Sequence, residues 1–501
     1  MDLLNDYDLI PVYKTVPADT ETPVSVYLKT TAALPGSFLL ESGDLGEKAR
    51  YSFIGLMPFI SLYTENNKTV VSYFKEHNKT IREELSFDDP LEALNHLFEE
   101  YKVFTPEDIP GFRGGAVGYL SYDMIKYWER IPPSPHEEKY PRCFFNFHRM
   151  IAIYDHRRHL LTVVSFVKHE RDKREGAGSE RENLFEAAVR DIKDFLWKLK
   201  NNTAVPSSYN EPEFEESYNE SSEIFKEDDF ISAVYRAKEY IKAGDIFQVV
   251  LSRRVNVKLN VHPFNLYRAL RSLNPSPYQF YLSFEGFQVL GASPEMLVSL
   301  KDRTASTKPI AGTRPRGIDK KADICLAKEL SCDEKEKAEH MMLVDLGRND
   351  LGKVSEYGTV KVDKLFNVEY FSHVIHLTTE VTGKVRKDCG FAQLIRAAFP
   401  AGTVTGAPKV RAMEIIAETE PSIRGPYAGA VGYVGFDGDM DTCIAIRTII
   451  TGNNIARVQA GAGIVADSEP DKEFSETEHK MAASLNAINL AEEWEKDDFN
   501  N

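Results

Sequence analysis

From Lys226 onward, apolar residues recur at Phe230, Val234, Ala237 and Ile241. Steps of four, three and four are the period of an amphipathic helix, and Gly244 is placed to end it. The next segment, DIFQVVLSRRVNV, reads as a strand with Gln248 on the same face as Ile246 and Val250. A Gln among apolar neighbours is either a satisfied core polar group or a side chain aimed into a site. Residues 1 to about 195 are rich in strand-like runs, among them FLLESGD, YSFIGL, AVGYLSYD, MIAIYDH and HLLTVVSFV. Two later stretches, SCDEKEKAEHMMLVDLGRND and KEFSETEHKMAASLNAINLAEEW, read as helices. Strands in clusters, not in strict alternation with helices, predict an α+β fold with antiparallel sheets.

Two features divide the chain. The polar stretch NNTAVPSSYNEPEFEESYNESS has few apolar residues and two prolines, which predicts a linker or exposed loop over 201–222. That leaves an N-terminal lobe over 1–200 and a second lobe over 223–501. There is also an echo: GAVGYLSYD at Gly115 to Asp123 recurs as GAVGYVGFD at Gly429 to Asp437, six of nine positions identical. The match predicts two related halves, each using a Gly-punctuated strand.

Composition narrows the class. At 42% hydrophobic and 28% charged the chain is ordinary for a globular protein. A net charge of -16 argues against a nucleic-acid partner. The five cysteines show no zinc spacing and suit a reducing compartment. The N-terminus MDLLNDYDLIPVY lacks a signal peptide's cationic start and apolar core, and no apolar run approaches the roughly 18 residues of a membrane span. A cytoplasmic chain without a membrane partner is expected.

Candidate chemistry concentrates after residue 290. Glu336/Glu339 and Glu473/Glu476 are two Glu-x-x-Glu steps on the two predicted helices, and residues three apart share a helix face. A solvated face reads the same way, but four carboxylates from two helices also suit one hard divalent cation such as Mg2+. GASPE leaves Glu295 at a turn after a strand, available as an acid if burial raises its pKa. PIAGTRPRG and FPAGTVTGAPK read as stiff Gly/Pro loops carrying Thr313 and Thr403. The spacing of the second, Gly402-x-x-x-Gly406-x-x-Lys409, is not that of a nucleotide phosphate loop. Arg447, in the strand-like run IAIRTII, needs an anion or leaves a costly buried charge. QAGAGIVADSEP offers backbone amides at Gly461 and Gly463 that suit a carboxylate. Together these describe a pocket for a small polyanion, with Tyr427 as a neutral donor. His376 is either a core residue or a proton-transfer group.

These segments resemble the chorismate-utilising enzymes, and within them the large subunits of anthranilate synthase, over almost the whole chain. The resemblance implies a two-lobed α/β sandwich of antiparallel sheets flanked by helices. It implies Glu339 and Glu476 as Mg2+ ligands, with Glu336 and Glu473 acting through water. Gly312, Thr313, Tyr427, Arg447, Gly461, Ala462 and Gly463 fall where the family binds chorismate. Glu295 falls on the general acid, His376 on the group for a later elimination, and Lys480 on a lysine lining the site, with Thr403 and Gln248 beside them. Relatives that add water carry Lys at the Gln248 position, so ammonia is implied as nucleophile. Aminodeoxychorismate synthases carry Lys at Ala311 and remain the nearest alternative, ahead of a non-catalytic amino-acid sensor. Glu41 and Ser42 with Pro277, Tyr278 and Gln279 resemble the family's tryptophan feedback site. No cysteine lies in a Gly-x-Cys-x-Gly elbow, so a separate glutamine amidotransferase subunit is implied for glutamine use.

Overall fold

A computed structural model describes residues 6–43, 50–75, 79–133, 136, 139–168, 177–204, 222–370 and 374–498. The expected linker lies almost wholly outside these residues. All paired strands are antiparallel and hydrogen-bond into one continuous network, whose two wings are the two sheets of the fold. Two long strands, Tyr51–Glu65 and Cys143–Asp155, pair with each other along their length and link the wings. Register shifts between Pro58 and Ile60, where Met57 has a φ of +58°, so the bridging strand bends there.

One sheet continues from the first half of Cys143–Asp155 through Gly115–Leu120, Ala430–Gly435, Met440–Ile444, Met296–Lys301 and Thr304–Thr307 to Val374–Lys384. Val374–Lys384 is flanked further by Ile310–Pro315 and Lys361–Tyr370. The other sheet continues from Tyr51–Glu65 through Phe38–Glu41, Tyr278–Phe284, Phe287–Ser293, Thr448–Gly452 and Ile455–Ile464 to Gln248–Lys258. Strands from both sides of residue 200 therefore lie side by side in both sheets. This is the sandwich that the family resemblance implied. PIAGTRPRG, read as a loop, is instead partly the strand Ile310–Pro315, because Val374–Lys384 supplies a pairing edge that no local pattern announces.

The echoed segments are adjacent strands. Gly118 lies opposite Gly432, and Val117 opposite Tyr433. The repeated motif thus pairs with itself about a local two-fold axis centred on the two glycines. A Cβ on Gly118 would run into the Phe144 carbonyl oxygen, and one on Gly432 into that of Asp441.

The helices form where the periodicity predicts. Glu227–Ala243 buries Phe230, Ala233, Val234 and Ala237, and ends at Gly244 with a φ of +83°. Glu334–Gly352 starts behind Asp333, whose carboxylate accepts the Lys335 and Glu336 amides. Pro470–Asp498 turns Phe474, Thr477, Met481, Ser484, Ile488 and Ala491 inward at steps of three and four. Its neighbouring stripe carries Glu473, Glu476 and Lys480. No helix among the described residues is long and apolar enough to cross a membrane.

Gly432→Ala should lower stability by about 1–3 kcal/mol through overpacking against backbone. A urea midpoint equal to that of the unmodified chain would count against the close approach of Gly432 to the Asp441 carbonyl.

Candidate active site

Glu295 sits in the two-residue gap between Phe287–Ser293 and Met296–Lys301. Its backbone is pinned on both sides: Ser293 Oγ donates to the Ile444 carbonyl at 2.6 Å, and the Ile444 amide donates to the Glu295 carbonyl at 3.0 Å. The side chain enters a small cavity walled by Leu297, Leu343, Leu346 and Ala401. Burial pushes its carboxyl up to about 7, against smaller opposing effects from the Thr403 hydrogen bond and the Lys480 charge. Thr403 Oγ1 donates to it at 3.1 Å from the short 3-10 helix Gly402–Val404. Gln248 lies close by, lining a second cavity with Met342, Leu346, Asn349 and Gly402.

The two glycines are held with their amides outward. The Val250 amide donates to the Thr405 carbonyl and the Ser252 amide to Glu420, both at 2.8 Å. Val250 faces Gly463 and Ser252 faces Gly461. These are then the pairs that exchange no ladder bonds, so Gly461 and Gly463 point their amides to the opposite edge. On that edge Lys480 Nζ meets the Gly461 carbonyl at 3.0 Å. The neighbouring strand stops there, its last pair being Ile449 with Val458. Ala462, between the glycines, is fully buried in the hydrophobic core. A Cβ at Gly461 would lie 3.1 Å from Tyr427 Oη, and one at Gly463 2.7 Å from Gln248 Nε2.

Arg447 is not inside a strand. It occupies the break between Met440–Ile444 and Thr448–Gly452, with a φ of +48°. There the chain passes from one sheet to the other. No carboxylate pairs with its guanidinium among the described residues; Nη1 donates to Asn274 Oδ1 at 2.8 Å. Burial lowers its pKa. A half-buried cation beside outward amides suits a carboxylate ligand.

His376 lies opposite Thr313, with Nδ1 2.9 Å from the Gly312 carbonyl and 3.2 Å from Thr313 Oγ1. Nδ1 donates to that carbonyl, so in the neutral ring Nε2 carries the lone pair. Burial and, less strongly, Arg447 hold its pKa below the usual range, partly offset by the Gly312 bond. Gly312, at a φ of +66°, is the bulged residue that turns its carbonyl to the ring.

The four glutamates face one another across two helices. Burial and then Glu336 and Glu476 raise the pKa of Glu339; burial and Glu476 raise that of Glu473. Two of them are engaged by cations of the chain: Glu336 by Arg314 at 3.1 Å and Glu476 by Lys480 at 2.6 Å. Among the described residues no three His, Cys, Asp or Glu side chains are gathered closely enough to hold a metal. In chemistry, mutually repelling carboxylates at the mouth of an anion site fit a hard divalent cation.

The two segments expected to form a regulatory site also meet. Gln279 pairs with Glu41 in the ladder, and the Gly43 amide donates to the Ser276 carbonyl at 2.8 Å, which places Ser42 beside Pro277. Glu41 is buried and accepts from Tyr267 Oη at 2.6 Å and Arg271 Nη2 at 3.2 Å. Tyr278 Oη donates to Asp441 at 3.1 Å.

Sequence reading passed over Glu420 and Arg424, which form a buried pair at 2.6 Å. Arg424 also donates to the carbonyls of Val404 (2.7 Å) and Val250 (2.8 Å), and stacks 4.5 Å over Tyr122. Glu420 accepts from both Ser252 donors. The available signal was two opposite charges four apart in a stretch flanked by apolar segments. Arg424→Met should cost about 3–5 kcal/mol, because it strands a buried carboxylate. Urea unfolding checks this, and a loss under 1 kcal/mol would show the pair to be dispensable.

The family described as chorismate binding enzyme matches residues 38–486. The chain belongs to that family. It is 46% identical over 493 residues to anthranilate synthase component 1 of Acetivibrio thermocellus, spanning 98% of this chain and 97% of that protein. Anthranilate synthase component 1 of Bacillus subtilis (strain 168) is 40% identical over 492 residues, 97% of this chain and 93% of its own. Among solved structures, anthranilate synthase component I from Streptococcus pneumoniae TIGR4 superposes with a TM-score of 0.71 at 35% identity, covering 87% of this chain and 92% of that one. The menaquinone-specific isochorismate synthase of Escherichia coli shares the fold, with a TM-score of 0.67 at 20% identity over 95% of this chain and 94% of its own.

Proposed function

We propose that this chain makes anthranilate from chorismate and ammonia, releasing pyruvate, as the first step toward tryptophan. The observation that carries this reading is the position of Lys480. Its ammonium binds Glu476 and the Gly461 carbonyl and acts electrostatically on Glu295, Glu339 and Glu473. The acid, the carboxylate cluster and the anion-binding edge therefore surround one cleft. One chorismate carboxylate would meet Arg447 and the Gly461 and Gly463 amides, with Tyr427 and Thr313 as neutral donors. A bound Mg2+ would be held by Glu339 and Glu476, backed by Glu336 and Glu473, and supplies Lewis-acid polarisation of the ring carboxylate.

Ammonia adds at C2 while Glu295, protonated and oriented by Thr403, gives its proton to the departing C4 hydroxyl. The C2 ammonium formed gives up a proton. His376 then accepts the C2 proton as the C3–O bond breaks and the ring aromatises. The departing enolpyruvate takes a proton at its methylene carbon to become pyruvate. Gln248, a carboxamide, cannot deprotonate water, and Ala311 cannot form the covalent adduct of a para-amination route. Both absences favour ammonia attacking directly. A separate glutamine amidotransferase would deliver that ammonia, and tryptophan bound at Glu41, Ser42 and Pro277–Gln279 would restrain the reaction.

Purified chain with chorismate, Mg2+ and ammonium should produce anthranilate fluorescence, and EDTA should abolish it. Emission that persists in EDTA removes the metal, and para-aminobenzoate after lyase coupling would favour the alternative route. Glu295→Gln should retain chorismate binding while kcat falls about 100- to 10,000-fold. The acid form of Glu295 is lost as pH rises through about 7. At fixed free ammonia, kcat should then fall about tenfold per pH unit above that point. A flat profile to pH 9 would assign the proton to another group.

A further inference from the structure

Helix Glu334–Gly352 presents one stripe to the cleft. Glu339, Leu343, Leu346 and Asp350 follow one another on it at steps of four, three and four. Glu339 belongs to the carboxylate cluster, and the two leucines wall the cavity that holds Glu295. Asp350 also lines that cavity and is buried. Its carboxylate accepts from Lys409 Nζ at 2.9 Å and from Lys353 Nζ at 3.1 Å. Lys409 opens helix Lys409–Thr419, and its ammonium reaches back to the Ala398 carbonyl at 3.4 Å, where helix Phe391–Ala398 ends. One ammonium therefore gathers both ends of the segment 399–408 onto Asp350. Inside that segment Thr403 donates to Glu295, and Gly402 lies so near Leu346 that a Cβ would run into it. Beyond Thr403 the segment is fastened to the other sheet, through Arg424 to the Val404 carbonyl and the Val250 amide to the Thr405 carbonyl. Thr403 thus sits between that anchor and the Lys409 clasp.

The geometry points to Lys409 and Asp350 as a positioning pair for the acid: the clasp holds Thr403 on Glu295 and keeps the Leu343–Leu346 wall closed over its carboxyl. The inference deepens the anthranilate reading and rests on it; the pair itself touches neither substrate nor metal. Apolar side chains could fill the same space, and a buried ion pair adds little net stability over them. They could not hold the Ala398 carbonyl, so what the charges supply is direction. Three charged groups face Glu295. Lys480 lowers its pKa, Lys308 lines the cavity and pairs with Glu369 at 2.6 Å, and Asp350 is met by its two lysines. Burial is the largest influence on Glu295, so water entering past a loosened wall outweighs loss of the Thr403 bond.

Lys409→Met should lower kcat about tenfold and move its alkaline limb down by about one pH unit. The chorismate Kd should stay within about twofold, since no ligand contact is lost. Alone, this variant strands the Asp350 carboxylate. Combining it with Asp350→Leu should bring the urea midpoint back toward its original value while the limb stays low. Adding Thr403→Val to Lys409→Met should cost much less than the sum of the two, because both act through one contact. Amide exchange over 399–405 should quicken at least about tenfold in both Lys409 variants, a readout that needs no turnover. An unmoved limb, a double variant whose profile recovers with its stability, additive losses with Thr403→Val, or unchanged exchange would each overturn the proposal. Absence of anthranilate from the unmodified chain would instead sink the functional reading, and with it the role assigned to the pair, whatever the exchange shows of the clasp.

Discussion

The guanidinium of Arg424, buried against Glu420, is the contact on which the catalytic cleft depends. It joins three backbones: the strand bearing Gln248, the turn bearing Thr403, and the segment bearing Tyr427. The Gly425 amide then meets Asp123, which ends the first copy of the echoed motif. A buried ion pair of this kind adds little net stability over apolar packing, but losing one partner is expensive. Its value here lies in direction: Glu420 takes up the Ser252 amide and hydroxyl, which turns Gly461 to the opposite edge.

The cleft also explains how an acidic chain can receive an anion. Net charge is -16, yet the anion edge holds Arg447, two outward amides and Lys480. The glutamates meet that edge at Lys480, which pairs with Glu476, and burial followed by repulsion from neighbouring glutamates raises the pKa of Glu339 and Glu473. Local arrangement, not the total, sets the potential that a small ligand meets. No carboxylate contributes to the shift of Glu295: burial weakens its acidity, against the Thr403 hydrogen bond and the Lys480 charge.

Much of the fold was legible because it is periodic. The helix steps at Phe230 to Ile241, the strand-like runs of the N-terminal half, and the stop at Gly244 all appear where local rules place them. The repeated GAVGY motif predicted related halves, and the structure adds that the copies pair with each other through Gly118 and Gly432. Two readings failed for one reason. Ile310–Pro315 looked like a loop, and Arg447 looked like a strand residue. In each case a distant partner, Val374–Lys384 for one and Asn274 for the other, set the backbone.

Residue chemistry and short-range spacing alone determined which side chains are acids, bases and bare amides, and which helix face carries each Glu-x-x-Glu step. They did so because side-chain direction repeats every 3.6 or two residues along a local element. Only the tertiary structure decided that Lys480 reaches the Gly461 carbonyl, that Arg447 sits where the chain crosses between sheets, and that Glu420 and Arg424 hold the floor. Those facts follow from which strands lie side by side. Strand partners are chosen by burial over hundreds of residues, a constraint that no window of sequence contains.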